Sequence, residues 1–93
     1  MARYVTLIRF TDQGARALKN SPTRAREFRE AAEKAGIAVE TQLWTTGCCD
    51  GVLVLSGDEK LLLRQLAQLV ALGNVRTETL RAFDAKEFSG LVG

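Results

Sequence analysis

The chain contains no histidine, which removes the side chain most often used as a general acid or base near neutral pH. A serine–histidine triad is thereby excluded, and a catalytic base would have to be a carboxylate such as Asp50 or Glu78, or a thiolate. Cysteine is nearly as scarce: Cys48 and Cys49 are the only two, and they are adjacent. A bridge between neighbours is strained and holds no distant segments together. Two adjacent thiols also lack the ligand spacing of zinc and iron–sulfur sites, so neither a metal nor a cofactor is expected. They read as small buried hydrophobes at a strand start, in a reducing, cytoplasmic setting. No apolar run approaches membrane-spanning length. Met1 to Phe10 alternates charged with apolar residues, unlike the continuous apolar core of a signal peptide. No charge sign dominates either. The net charge is +2, with eight Lys/Arg against five Asp/Glu in residues 1–46 and five against six in 47–93. That is not the footprint of a nucleic-acid binder, so neither nucleic acid nor membrane is an expected partner.

What is present is an ordinary globular balance, 46% hydrophobic and 26% charged over 93 residues, which supports one domain over 1–93 with a modest core. Tyr4 to Phe10 is rich in β-branched and aromatic residues and predicts a first strand, ending at the polar, turn-like Thr11-Asp12-Gln13-Gly14. Ser21-Pro22 predicts a helix with an N-cap serine and proline at the first position. Ala25, Phe28, Ala32 and Ala35 form its apolar face, Gly36 stops it, and Arg24, Arg26, Glu27, Glu30 and Lys34 form a solvated face. Val39, Thr41 and Leu43 alternate with Glu40, Gln42 and Trp44 in a second strand. Val52 to Leu55 is an unbroken aliphatic run suited to a central strand. Asp58 and Glu59 open a second helix with an apolar stripe of Leu62, Leu66, Leu69 and Val70, closed by Gly73-Asn74. Val75 to Phe83 predicts a fourth strand, and Phe88 and Leu91 stand in a tail that could dock on a neighbour.

The order strand, helix, strand, strand, helix, strand is that of the ferredoxin-like α+β unit, whose helices cover one face of an antiparallel sheet. Strict alternation places Val5, Leu7, Leu43, Leu80 and Ala82 under the helices and turns Thr6, Ile8, Gln42, Trp44, Thr79 and Arg81 outward. A bare face carrying tryptophan and isoleucine invites a second copy. Two such sheets face to face would give a dimeric α/β barrel with a cavity between them, a homo-oligomer formed through the open sheet face.

Four stretches carry a family resemblance over nearly the whole chain: Tyr4 to Gly14, Ser21-Pro22-Thr23-Arg24, Trp44-Thr45-Thr46-Gly47, and Leu72 to Phe83, the last being the most specific. Together they resemble the GYD domain, a family of small bacterial and archaeal proteins named for a glycine, tyrosine, aspartate signature. Gly47 and Asp50 stand where the family has glycine and aspartate, and Cys49 replaces the tyrosine. The resemblance implies a ferredoxin-like, dimeric-barrel fold and names no substrate.

Candidate ligand-binding residues are Thr6, Trp44, Cys49, Asp50, Thr79 and Arg81. Trp44 would stack on a flat small molecule and Arg81 pair with its carboxylate, with Thr6 and Thr79 alongside. The same tryptophan and arginine suit the anchor and rim of a subunit interface. Asp50, beside glycine, suits a turn cap. The Arg24, Arg26, Arg29 cluster is interleaved with Glu27 and Glu30, as on a solvated helix face. The favoured reading is an oligomeric domain that binds a small molecule or partner between packed sheets. The alternative is a cofactor-independent enzyme, isomerase-like or oxygenase-like, acting on a small aromatic or carbonyl compound.

Overall fold

A computed structural model describes residues 2–93. β1 (Ala2–Phe10) leads through a short α1 (Asp12–Arg16) and a 3-10 turn at Leu18–Asn20 into α2 (Ser21–Lys34). Then come β2 (Ala38–Trp44), β3 (Gly51–Gly57), α3 (Glu59–Ala71), β4 (Val75–Ala82) and α4 (Ala85–Val92). The four strands form one antiparallel sheet in the order β2-β3-β1-β4. This is the ferredoxin-like arrangement that the element order implies, with β1 and β3 in the middle and α2 and α3 on one face.

Local chemistry explains most boundaries. Thr11 caps α1 by accepting from the Gly14 N–H, so the polar cluster after β1 forms a helical turn and not a simple bend. Pro22 sits at the start of α2, where its missing N–H costs nothing. Ser21, however, does not cap that helix; its hydroxyl is engaged elsewhere. Asp58 caps α3 through the Leu61 N–H, an arrangement worth about 1 kcal/mol. The tail is a helix too, with Asp84 and Glu87 forming a reciprocal capping box. Leu62 and Leu66 of α3 and Phe28 and Ala32 of α2 press on Tyr4, Leu53, Leu55 and Val39 of the sheet. Val70, placed in this stripe by its spacing, is instead exposed.

The facing of the sheet is the reverse of the expected one. Thr6 is fully buried under the helices, and Gln42 and Trp44 bond to α2. Val5 pairs with Val54 and Leu80, and Leu7 with Val52, on the open side. In β2 the cause is a bulge: Val39 opposes Leu55 but Thr41 opposes Val54, so Glu40 is an extra residue. One added residue inverts every side chain beyond it. Val39 therefore stays under the helices while Thr41 and Leu43 turn to the open face.

Candidate functional site

The ends of three strands meet at Asp50. Its backbone N–H donates to the Ile8 carbonyl (2.7 Å), its carbonyl accepts from Thr45 N–H (2.9 Å), and its Oδ2 accepts from Phe10 N–H (2.8 Å). The aspartate thus closes the turn between β2 and β3 and also holds the last residues of β1. Nearby, Trp44 ends β2 on the helix side, and its indole N–H donates to the Ser21 hydroxyl at 2.9 Å. Gln42 donates to the Ala25 carbonyl at 3.0 Å, fastening β2 to the first turns of α2. On the other side, Thr11 donates through its N–H to Asn74 O (3.0 Å) and through its hydroxyl to Gly73 O (2.6 Å). Gly14 makes that close approach possible, because a Cβ there would collide with the Asn74 carbonyl.

These contacts frame a recess of about 60 Å³ between α2, α3 and the end of the sheet. Its walls are chiefly apolar: Ile8, Phe10, Phe28, Leu53, Leu69 and Val75, with the half-exposed Trp44 and the exposed Leu72. Ser21, Arg24, Asp50 and Asn74 supply the polar groups. Such a space, apolar with a few convergent polar groups, has the character of a small-molecule site.

Of the six residues expected from the sequence, Trp44 and Asp50 come together here. Cys49 is buried close by, with Thr45 Oγ1 donating to its carbonyl (2.8 Å) and lying 3.6 Å from its sulfur. Cys48 differs from the expectation of burial: it is exposed, in a loop where its carbonyl accepts from Arg9 Nε (3.0 Å), and both thiols are free. Among the described residues no group of three or more His, Cys, Asp or Glu gathers to hold a metal.

Thr6 and Thr79 lie mid-sheet, bonded to each other at 3.1 Å beneath the helices. Arg81 lies at the far end, stacked over Tyr4 (5.5 Å) and Phe83 (4.5 Å) and donating to the carbonyls of Arg3 and Ala82. None of these three faces a space between sheets. Tyr4 itself has its pKa pushed above 10.0, first by partial loss of water and then by the Glu59 carboxylate, with Arg81 pulling the other way.

Two residues of the recess differ from the roles their spacing suggests. Arg24 turns inward from the face of α2 expected to be solvated, its Nη1 donating to Ala17 O at 3.0 Å. Ser21 serves the tryptophan and not the helix start. A helical wheel places Arg24 with its charged neighbours, and only the tertiary position of Ala17 draws it in.

Comparison with known proteins agrees with the fold. The family model of the GYD domain matches residues 4–92. A feast or famine regulatory protein from M. tuberculosis, solved with L-methionine, has a TM-score of 0.66 at 19% identity over 91% of this chain. The match covers 52% of that protein, so the chain spans about half its length, and at this identity the likeness is one of fold. The protein TTHA0845 from Thermus thermophilus has a TM-score of 0.57 at 28% identity, over 91% of this chain and 96% of that one. No curated protein matches.

Proposed function

The chain belongs to the GYD domain family, and from that footing we propose that it works as a homodimer, two sheets packed face to face into an α/β barrel, and binds a small molecule. The observation that carries the dimer is the open sheet face. Its centre is aliphatic, with Val5, Leu7, Val52 and Val54 partly covered and Leu43 and Leu80 exposed at 58% and 45%. Its ends are charged, with Arg3 paired to Glu40 and Glu87 (3.5 and 3.1 Å) and Arg9 to Glu78 (3.8 Å). An apolar centre with a charged rim is the make-up of an interface core and its border. α4, joined through Glu87 to Arg3 of this face, carries the exposed Phe88, Leu91 and Val92, further apolar surface for a second copy to cover.

This packing brings aliphatic residues together, so the space suited to a ligand, apolar with a few polar groups, is the recess under α2 and not the gap between sheets. The feast or famine regulator, about half of which shares this fold, is a protein solved with a small molecule, L-methionine. Binding is favoured over cofactor-independent catalysis because Asp50, the carboxylate on the recess, is already engaged in holding β1. Among the described residues no helix is long and apolar enough to cross a membrane.

Sedimentation of the protein at micromolar concentration tests the dimer. The wild type runs at twice the chain mass and Val54→Glu, which places a charge at the centre of the open face, runs as a folded monomer. A wild type that is strictly monomeric at that concentration overturns the assembly.

A further inference from the structure

We propose that the recess is an anion site whose ligand is a monocarboxylate with a compact apolar body, held by Arg24. The inference rests on the small-molecule reading above and names the class of molecule. Arg24 is half-buried, and its Nη2 is shut off from solvent with no hydrogen-bond partner. A guanidinium cannot relieve this by losing its proton, since it stays charged at any pH the fold survives. Among the described residues no carboxylate lies within ion-pair distance of it. Buried donors and charges are ordinarily matched; here one guanidinium nitrogen lacks its match in a side chain that lines a cavity.

A second observation concerns α2. Its first turn holds no acidic residue, and Asn20, before it, makes no side-chain cap. The positive end of this helix therefore lacks the anionic partner such ends favour. Ser21 and Arg24 carry that turn onto the recess wall, so one bound anion would serve both. Arg29 has the other orphaned guanidinium nitrogen, Nε, but does not line the recess.

The remaining walls select among anions. A planar guanidinium presents paired N–H groups that fit a carboxylate, while Phe28, Leu69 and Val75 offer only apolar surface. Asp50 lines the same space, and its negative charge disfavours a dianion such as phosphate. A volume of about 60 Å³ limits the apolar body to a few atoms.

The experiment is an amide NMR titration of the full chain with isovalerate, with isovaleramide as its neutral match, and with inorganic phosphate. Isovalerate should give saturable shifts at the Trp44 indole, Gly51 and Val75, and isovaleramide should bind about 10- to 100-fold more weakly, as loss of a charge-assisted bond implies. Arg24→Gln should erase that preference and Arg29→Gln should keep it. Equal binding of acid and amide overturns the anion assignment while leaving a small-molecule site. Tighter binding of phosphate overturns the carboxylate. No saturable shift with any probe at millimolar concentration overturns both the assignment and the small-molecule reading. The acid–amide comparison uses the unmodified protein, so it decides the matter even where Arg24→Gln fails to fold.

Discussion

The face of the sheet under α2 and α3 includes Thr6, Thr79, Gln42 and Arg81, whereas the open face is aliphatic at its centre, with Val5, Leu7, Val52, Val54 and Leu80. The covered side thus carries polar groups within the hydrophobic core. Its polar groups are bonded: Thr6 to Thr79, Gln42 to Ala25 O, Arg81 to two carbonyls. Once paired, such groups cost little to bury. The difference teaches that hydrophobicity alone does not tell which face a chain covers with its own helices. It tells which face cannot be left to water, and in the proposed assembly another copy covers that face.

The largest effect should come from the covered face. Leu55, with no exposure, packs where no second chain can compensate, so Leu55→Ala should cost about 2–5 kcal/mol in urea unfolding, at every protein concentration. Val54→Ala, its neighbour on the open face, should lose stability that depends on concentration, because in the proposed dimer association and folding are linked. Identical concentration dependence in the two variants would erase the distinction between faces.

A smaller effect is expected at the polar pair. Thr6→Val leaves the Thr79 hydroxyl half-buried without its partner and should cost about 1–2 kcal/mol. The double variant Thr6→Val/Thr79→Val should recover part of that, since neither hydroxyl is then stranded. A double variant that is worse than the sum of the two would mean the pair does more than satisfy itself.

The smallest signal is optical. Tyr4 is the only tyrosine, so ultraviolet titration of phenolate reads it alone. Its midpoint should lie above 10.0, and Glu59→Gln should lower it. Because the folded phenol holds its proton more tightly than the unfolded one, its contribution to stability is complete below the ordinary tyrosine pKa. That contribution is lost as pH rises through the folded pKa. A midpoint at or below 10.0 would show that the end of the sheet near Arg81 is ruled by the arginine.

The order of the four strands and the two main helices was legible in the sequence, and so was the centre of each helix's apolar face, because Leu62 and Leu66, or Phe28 and Ala32, repeat at helical spacing whatever surrounds them; Val70 and Arg24 were the misplaced ones. The facing was not legible. Alternation in Val5 to Ile8 fits either side of a sheet, and nothing local announces the bulge at Glu40. The helix at the tail had a readable sign in Asp84 and Glu87, three apart. Of the recess, Trp44 and Asp50 stood out by residue type. Arg24 did not, because its role depends on a carbonyl seven residues back being within reach and on a void that only packing creates.

The extra residue in β2 works like a frameshift written in space. Upstream of Glu40 the edge strand is read in one phase, downstream in the other. Paired straight through, with no bulge, Glu40 would oppose Val54, Trp44 would swing onto the open face and Leu43 would lie beneath α2; deleting Glu40 would keep both where they are, since the bulge and its extra residue leave together. Straight pairing would take a wall from the recess and set an indole on the open face in the same step. Two surfaces on opposite sides of one sheet are therefore bound to a single count, and in this strand length is as much a specification as chemistry.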